Sequence, residues 1–402
     1  MAGSSPPAAS ARPHRLVLLG GGHAHLQVLR DLATAPLLDV HVTLVSLSTE
    51  LVYSGMVPGR VAGRYRDEEC RIPLEPLARR AGVEFIVGEA IGVDATNRSV
   101  LIARRAGTTE TRGYDVASLD VGGVMDRESI TGAAEHALFV RPIGVFLDAL
   151  GARLRGSAVR EISRDAAGDV DGAAAAGAAR RAPPDDLVVI GGGAGGVELA
   201  LALRARRGPI ARIALVCGGP LLAAHSAALQ RRVRRALAER GVAVHEATCR
   251  SIAADAAVLD NGAKLTCDLA IVATGSAAPA WLRPSGLALD ADGFVATGPT
   301  LQSLSHPEVF GAGDVATRAD ARRPRNGVHA VRAGPPLARN LRLFVEGRPC
   351  RPYRPQRRSL ALIACGDGSA IAEWHGWSLE GPAIGRWKDR IDRDFVALNR
   401  AA

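Results

Sequence analysis

One supersecondary pattern occurs twice in this chain and constrains its fold more than any other feature. The apolar run Arg15–Leu19 leads into a glycine-rich turn, GGGHAH at 20–25, and then into leucines at helical spacing. The run Leu187–Ile190 leads in the same way into GGGAGG at 191–196 and the helix-like segment Val197–Arg207. The apolar runs that follow are Val40–Val45 and Ile213–Val216. The sequence therefore predicts an α/β protein with two βαβ openings, and 402 residues suffice for two or three domains.

A glycine-rich turn between a strand and a helix is typical of a nucleotide phosphate site. Glycine permits the tight turn and a close approach of the backbone, and the helix N-terminus offers free N–H groups and partial positive charge. In the first unit His25 replaces the third glycine of the motif. We expect either looser packing of helix on strand there or a His25 at the surface of that contact. For His23 and His25 a packing or phosphate-neighbour role is favoured over catalysis.

The acidic residue that reads the ribose in such units is missing from its expected place in both. The strand after the first turn ends at Ser46, and the strand after the second turn ends at Cys217. An acid there would repel a 2′-phosphate and an arginine would bind one. With neither present, the sequence leaves NADH and NADPH both open.

Charge and composition exclude several function classes. The formal net charge is +9, but the basic residues are scattered arginines apart from Lys264 and Lys388, so we expect no nucleic-acid partner. No apolar run approaches the ~20 residues of a membrane-spanning helix, and Met1–Arg15 lacks the apolar stretch of a secretory signal. The segment 156–184 is low in complexity and predicts a surface insertion. We expect a cytoplasmic protein, with a peripheral position on the inner face of the membrane as the alternative.

The order of further motifs resembles that of the two-dinucleotide flavoproteins, the pyridine nucleotide-disulfide oxidoreductase superfamily, and within it the type II NADH dehydrogenases. Leu269–Gly275 is similar to the strand that returns the chain from the NAD domain to the FAD domain. Val309–Asp314 resembles the second FAD motif, whose Asp bonds the ribityl chain in the family. Gly327–Asn340 resembles the helix start that faces the flavin ring and stabilises negative charge on it.

A closer likeness covers nearly the whole chain. The first turn, Tyr53–Gly59, Tyr114-Asp115 and Trp387–Arg393 are similar to the flavoprotein domain often fused to selenide, water dikinase. This resemblance implies a flavin reductase linked to selenium or sulfur as one alternative function. It also places Tyr53–Gly59 as a loop that crosses the flavin.

The resemblance implies FAD and NADH or NADPH as cofactors and no metal. Glu198, which we place in the first turn of the second helix, is the candidate catalytic residue beside the nicotinamide, with complementarity to the helix dipole as the alternative. The expected cofactor-binding residues are Gly20, Gly22, His23, Ala24, Ser46, Pro58, Gly122, Asp314, Arg332 and Ala333 for FAD, and Gly191, Gly193, Ala194, Gly195, Gly196, Thr274 and Gly275 for NAD(P)H.

The resemblance also implies a domain plan. Residues 1–124 and 276–334 form a discontinuous FAD-binding domain, residues 125–275 an NAD(P)H-binding domain, and residues 335–402 a C-terminal interface region. In that last region Trp387, Ile391, Phe395 and Leu398 lie on one helix face, which we expect to pack on the domain or on a partner rather than on a membrane. A homodimer is left open.

The cysteines argue against a thiol relay. None of the six forms a CxxC pair, and residues 123–190 contain no cysteine where sulfide:quinone oxidoreductases carry one. Cys70 stands alone in the first domain, where disulfide reductases have two, so we expect it to be structural. The function expected is an FAD-dependent NAD(P)H oxidoreductase that passes electrons to a quinone-like or other small acceptor. The alternative of another class is a flavin-bound redox sensor with little turnover.

Overall fold

The computed structural model describes residues 14–104, 107–156, 183–356 and 359–401. The expectations about the N-terminal tail and about residues 157–182 of the low-complexity segment lie outside these residues. Two sheets dominate the described chain, and each has a glycine-rich turn at the carboxyl end of a central parallel strand. This arrangement confirms the predicted α/β class with two Rossmann-like units.

Seven strands form the first sheet. In spatial order they are β18 (Val309–Gly311), β8 (Val116–Leu119), β1 (His14–Leu19), β2 (Val40–Ser46), β5 (Glu84–Asp94), β6 (Ser99–Arg104) and β7 (Thr109–Gly113). The strands from β18 to β5 are parallel, whereas β5, β6 and β7 form an antiparallel meander. The connecting elements are helices α1 (His23–Thr34), α2 (Val57–Val61) and α3 (Leu74–Arg80) and the pair β3 (Glu50–Val52) and β4 (Arg71–Pro73).

Five parallel strands form the second sheet. In spatial order they are β12 (Val242–His245), β11 (Arg212–Val216), β10 (Asp186–Ile190), β16 (Leu269–Val272) and β9 (Ala137–Phe139). Helices α4 (Ala133–His136), α5 (Ile143–Leu154), α6 (Ala194–Arg207) and α7 (Ala227–Glu239) connect or cover them, beside an antiparallel sheet of β13 (Cys249–Ile252), β14 (Ala256–Leu259) and β15 (Lys264–Thr266). All five residues of β10 are buried, so the second turn starts from the centre of this core.

The chain then returns to the first sheet and ends in a small third layer. The remaining elements are β17 (Val295–Thr297), β19 (Ala316–Arg318), α8 (Gly327–Val345), β20 (Ala361–Ala364), β21 (Ala370–Trp374), β22 (Trp377–Gly381) and α9 (Pro382–Ala401). Helix α8 packs closely on α1, because a Cβ added at Gly334 would lie 2.8 Å from Cβ of Gln27. Strands β20–β22 pack against α6 and α7, and α9 packs on these strands and on β4. The proposed domain boundaries at 124, 275 and 334 stay a prediction.

Two local expectations are wrong. The segment Tyr53–Gly59 is not an open loop, because Ser54–Met56 forms a 3-10 turn and α2 follows directly. Glu198 is not in the first turn of its helix, because α6 already begins at Ala194, inside the glycine-rich turn. Glu198 therefore lies one turn deeper, where the helix dipole contributes less to its environment.

Helix α9 turns a different face inward from the one that apolar spacing predicted. Trp387, Ile391 and Leu398 are 46%, 39% and 50% exposed, whereas Asp392 is only 4% exposed. Of the predicted apolar face, Phe395 packs inward, where its ring stacks on Tyr53 with centroids 4.4 Å apart. Packing of this whole face on its own domain is therefore wrong, since the inward stripe carries charged residues as well, whereas packing on a partner stays a prediction.

In the first turn, a buried His25 stands at the position of the third glycine of the motif. It is fully buried, with Nδ1 2.6 Å from the Gly20 carbonyl oxygen and Nε2 2.8 Å from Oγ of Ser118. Burial lowers the pKa of His25 to about 4, so the ring is neutral near pH 7 and can donate at one nitrogen and accept at the other. The expectation of a surface position is wrong, because the imidazole ties the turn to β8 by hydrogen bonds.

We predict that His25→Ala lowers the free energy of unfolding by about 2–4 kcal/mol. The substitution opens a cavity and leaves the Gly20 carbonyl and the Ser118 hydroxyl without this hydrogen-bond partner. Urea denaturation measures the shift, and His41→Ala at an exposed histidine is the control. An unfolded histidine takes up a proton near pH 6.5 but His25 only near 4. The contribution of His25 should therefore fade as the pH falls from about 6.5 to 4. An unchanged midpoint in the variant would contradict this account.

Candidate functional site

The first glycine-rich turn is closely packed from below by the protein itself. Asp120 follows β8, is 3% exposed, and accepts the backbone N–H groups of Ala24 at 2.7 Å and His25 at 3.1 Å. A Cβ added at Gly22 would lie 2.3 Å from Cγ of Asp120, and one added at Gly20 would lie 2.4 Å from the Asp120 carbonyl oxygen. The first turn therefore needs its glycines to fit against Asp120.

Aromatic rings cover the outer side of this turn. His23 lies edge-on to Tyr53, with ring centroids 5.8 Å apart, and 6.0 Å from Phe395 of α9. Its Nε2 is buried and has no hydrogen-bond partner among the described residues. Burial lowers the pKa of His23 to about 4, with a counteracting contribution from Asp314. A neutral imidazole with an unpaired nitrogen thus lies at the mouth of the first turn.

The second FAD motif meets the first turn from the other side. Gly313 packs on Asp120, since a Cβ added there would lie 2.4 Å from Oδ1 of Asp120. Asp314 accepts a hydrogen bond from Nη2 of Arg141 at 2.8 Å, in an ion pair that the sequence analysis did not anticipate. The N-terminus of α8 is capped by the Asn326 side chain, which accepts the N–H of His329 at 3.0 Å.

The structure brings only part of the expected FAD set together. Gly20, Gly22, His23 and Ala24 form the turn, and Gly122, Asp314 and the start of α8 flank it. Ser46 lies at the end of β2, where its Oγ donates to the Ser48 carbonyl oxygen at 2.8 Å. Pro58 lies in α2, Ala333 is buried in α8, and Arg332 is exposed beside it. Their contacts with a cofactor stay predictions.

The second glycine-rich turn has open space beside Gly193, whereas Asp120 fills the space beside the corresponding Gly22 of the first turn. A Cβ added at Gly193, Gly195 or Gly275 would meet no atom of the described residues within 4 Å. Gly196 differs, because an added Cβ would lie 1.9 Å from the Gly191 carbonyl oxygen. That glycine lets α6 lie directly on the turn, as the third glycine of the motif does. The remaining expected residues, Ala194 and Thr274, lie at the start of α6 and just after β16.

The residues present fit two dinucleotides. Both helices begin after an extended glycine, Gly22 or Gly193, that provides no side-chain cap, and such an N-terminus suits phosphate. At α1, Asp120 takes up the N–H groups of Ala24 and His25 from the inner side. The unpaired Nε2 of His23 and Asp314 of the second FAD motif border the first site. The open space above Gly193 and Gly195 borders the second. FAD at the first turn and a nicotinamide dinucleotide at the second match this division.

A buried charged cluster lies between the two units and α9. Nζ of Lys388 donates to the Gly55 carbonyl oxygen and to Oδ2 of Asp392, both at 2.7 Å. Oε1 of Glu198 accepts the N–H of Ala364 at 2.8 Å, and its charge interacts with Lys388. The Tyr53 hydroxyl bonds Asp392. We call Glu198, Lys388, Asp392 and Tyr53 the junction cluster.

The junction cluster has perturbed acidities. Burial raises the pKa of Glu198 to about 7, although the nearby Lys388 ammonium lowers it in part. Burial alone would lower the pKa of Lys388, but Glu198 and Asp392 outweigh it and hold the pKa above its usual range. The cluster therefore holds a charged lysine beside a carboxyl group that exchanges protons near neutral pH. Such groups suit proton delivery to a substrate.

Of this cluster, only Glu198 was expected from the sequence. Lys388 and Asp392 lie outside the predicted apolar face of α9, where charged residues are usually exposed. The spacing of four residues between them, with opposite charges, indicated an ion pair but gave no sign of burial. Asp120 and Arg141 were missed because no motif covers them.

A carboxylate does lie beside the end of β11, where the ribose-reading acid was expected and which we call the ribose edge of the second unit, but it follows the neighbouring strand β12. Glu246 follows β12, and its Oε1 accepts the N–H of Leu221 at 2.8 Å, in the segment after β11. Arg234 of α7 pairs with the same oxygen at 2.5 Å. The motif places the ribose-reading acid at the end of the second strand of the unit, so its spacing does not point to Glu246, which follows a later strand.

All six cysteines are free, and five of them are buried. Burial raises the pKa of Cys70 to about 12 and those of Cys217, Cys267 and Cys365 to about 11. Thiols of such high pKa carry little thiolate at neutral pH and are poor nucleophiles. The expected structural role of Cys70 agrees with this environment.

Comparisons with known proteins give one family. The sequence model described as "Pyridine nucleotide-disulphide oxidoreductase" matches residues 14–334. A curated relative, demethylphylloquinone reductase NdbB of Synechocystis, is 25% identical over 386 residues, covering 93% of this chain and 89% of the relative. The structure of NDH2 from Plasmodium falciparum in complex with NADH superposes with a TM-score of 0.76 at 12% identity, covering 97% and 98% of the chains. Sulfide:quinone oxidoreductase from Aquifex aeolicus gives 0.74 at 17% identity, covering 96% and 92%.

We predict that Glu246→Gln favours the 2′-phosphorylated nucleotide. The change removes a negative charge beside the ribose edge and frees Arg234 from its partner, so the ratio of the Kd for NADP⁺ to that for NAD⁺ should fall about tenfold, or about 1.4 kcal/mol. Calorimetric titration of the oxidised enzyme, which does not react with either nucleotide, measures both constants. Glu239→Gln, at another exposed carboxylate paired with an arginine of α7, should leave the ratio unchanged. An equal shift in both variants would refute a specific role for Glu246.

Proposed function

The chain belongs to the pyridine nucleotide-disulphide oxidoreductase family and is an FAD-dependent NAD(P)H oxidoreductase, and we propose that a quinone is its electron acceptor. The observation that carries the proposal is the junction cluster, which holds proton donors where the two dinucleotide units and the C-terminal helix meet. A quinone-reducing relative covers most of the chain, and its substrate class is compatible with this site.

The acceptor is reached without a thiol relay in this proposal. A relay needs two cysteines close to each other and to the flavin, but all six cysteines are free and most are buried with raised pKa values. When bound, FAD accepts a hydride from the nicotinamide and supplies two electrons to the acceptor. The protein residues then have to orient the acceptor and provide protons.

Reduction of a quinone to a quinol consumes two protons as well as two electrons, and one proton returns to solvent for each reduced flavin that is reoxidised. The Lys388 ammonium can donate one of the two protons of the quinol, and Asp392, held by Tyr53, stabilises the ammonium before transfer. Glu198 can donate the other, because its pKa near 7 keeps a large protonated fraction at neutral pH. Lys388 can be reprotonated from solvent along the narrow pocket beside it. This pocket is lined by Gly55, Gly59, Arg64, Tyr65, Ala364, Gly366, Gly368, Ser369, Ala370, Gly385, Lys388 and Asp389.

We further propose that the quinone is reached at a membrane surface. The outward face of the C-terminal region carries Trp374 and Trp377 of the β21–β22 hairpin, Leu379, and Trp387 of α9, and Trp377 is 80% exposed. Arginines of α7 lie beside the hairpin: Arg231, Arg232 and Arg235 line one surface depression with Ser378. Exposed tryptophans next to arginines suit the interface of an anionic bilayer. Among the described residues no helix is long and apolar enough to span a membrane.

Two half-reactions test the proposed function. Anaerobic NADH or NADPH should bleach the flavin band near ~450 nm, because hydride transfer reduces the isoalloxazine. A soluble quinone should then restore the band in a stopped-flow experiment. Failure to bleach with either nucleotide would refute oxidoreductase turnover and favour the redox sensor. Bleaching without reoxidation by quinone would direct the search to another acceptor, including selenium or sulfur compounds.

Lys388→Met separates the two half-reactions. We expect reoxidation by quinone to slow by about 100-fold, the usual contribution of a general acid, while bleaching by NADH changes less than about threefold. The chain offers a matched control in Lys264→Met, since Lys264 is the other lysine and is exposed on β15. Thermal midpoints of both variants are measured alongside to exclude unfolding. Equal slowing of both half-reactions would contradict a role for Lys388 in acceptor reduction.

The membrane proposal predicts vesicle binding through the hairpin. Trp377→Ser combined with Leu379→Ser should lower cosedimentation with vesicles of phosphatidylcholine and phosphatidylglycerol about tenfold or more, because each buried apolar side chain contributes about 1.5 kcal/mol or more. The control combines Leu38→Ser with Ile210→Ser, which are 87% and 81% exposed elsewhere. If the control reduces sedimentation equally, or if the wild type stays in the supernatant, the membrane proposal fails.

A further inference from the structure

Asp120 occupies the point where the two FAD motifs meet. Its carboxyl group lies directly beneath Gly22 of the first turn and against Gly313 of the second motif, each close enough to exclude a Cβ. Its backbone N–H donates to the Leu19 carbonyl oxygen at 2.8 Å, which fixes the residue at the carboxyl end of β1. A side chain held this firmly cannot turn away when a ligand binds above it.

The same carboxyl group already satisfies part of the helix N-terminus. Oδ2 of Asp120 accepts the N–H groups of Ala24 and His25, the second and third residues of α1. Free N–H groups in a first turn, together with the helix dipole, are what a dinucleotide pyrophosphate binds. An ionised Asp120 would therefore compete with the pyrophosphate for the same positive field from the inner side.

Among the described residues, no unpaired positive charge faces an ionised Asp120. Asp314 faces it and adds repulsion, while Arg141 is engaged with Asp314 at 2.8 Å. His25 is neutral and bound to Gly20 and Ser118, and His23 is neutral as well. Burial raises the pKa of Asp120 to about 8, against the lowering effect of the two backbone N–H bonds.

We propose that Asp120 links FAD binding to the uptake of one proton, so that FAD binds while the Asp120 carboxyl group is neutral. The proton comes from solvent and bonds to a carboxylate oxygen of Asp120, and no other bond changes. Asp120 is then a positioning residue, which holds both FAD motifs in place and sets the pH range in which the cofactor stays bound. The inference rests on FAD as the cofactor and concerns its affinity rather than turnover.

Flavin-fluorescence titration of the FAD-depleted protein between pH 6.5 and 9.5 tests the proposal. We expect the Kd for FAD to be nearly constant below about pH 8 and to rise up to tenfold per pH unit above it, as expected for uptake of one proton. Calorimetric titrations at pH 9 in buffers of different ionisation enthalpy should report about one proton bound per FAD, and about none at pH 6.5. The calorimetry uses the wild type alone and so does not depend on the folding of any variant.

Asp120→Asn keeps a side-chain oxygen for the two N–H groups but removes the titrating charge. Its Kd for FAD should change less than about twofold across the same pH range. Asp314→Asn is the matched control, since it removes another carboxylate of the site. It should alter the Kd at every pH and preserve the slope, with the rise starting at lower pH because the repulsion of Asp120 by Asp314 is gone. A flat wild-type profile, or an unchanged slope in Asp120→Asn, would overturn the proposal. A protein that takes up no FAD at all would instead refute the cofactor assignment.

Discussion

The docking of the C-terminal helix depends on the burial of Lys388. A buried ammonium is costly unless it is paired and hydrogen-bonded, and Lys388 meets both needs only when three parts of the chain come together. Gly55 comes from the first unit, Asp392 from α9 itself, and Glu198 from the second unit. The orientation of α9 follows from these bonds, which turn its charged stripe inward and leave Trp387 outside. The same arrangement places proton donors between two dinucleotide sites.

The two glycine-rich turns share a motif but are used differently. Beneath the first turn the protein fills the space with Asp120 and holds the turn to β8 through the hydrogen bonds of His25. The second turn leaves open space above Gly193 and Gly195. A packed site suits a resident cofactor that stays bound through many turnovers. An open site suits a nucleotide that must enter and leave in each cycle.

Polar groups are buried at three points of this fold. His25 in place of a glycine, Asp120 below the first turn and Lys388 on the inward side of α9 are each enclosed by the protein, and each has hydrogen-bond partners that compensate in part for lost hydration. Burial raises the pKa of two carboxyl groups to near neutral pH, to about 8 for Asp120 and to about 7 for Glu198. Asp120 lies beneath the first turn and Glu198 lies in the junction cluster.

The sequence by itself determined the two βαβ units, because strand, turn and helix are local patterns that 2-residue and 3.6-residue periodicities and glycine positions specify. It also selected Glu198 and the two turns as sites, since motif spacing is local as well. Only the tertiary structure decided which face of α9 is buried, that His25 points inward, and that Asp120 and Lys388 meet residues far away in the chain. These depend on the partners a polar group finds across the fold, and hydropathy counts Lys388 and Asp392 as surface residues whatever their partners are. Whether a charge is buried depends on contacts between distant parts of the chain, so no local sequence pattern could predict it.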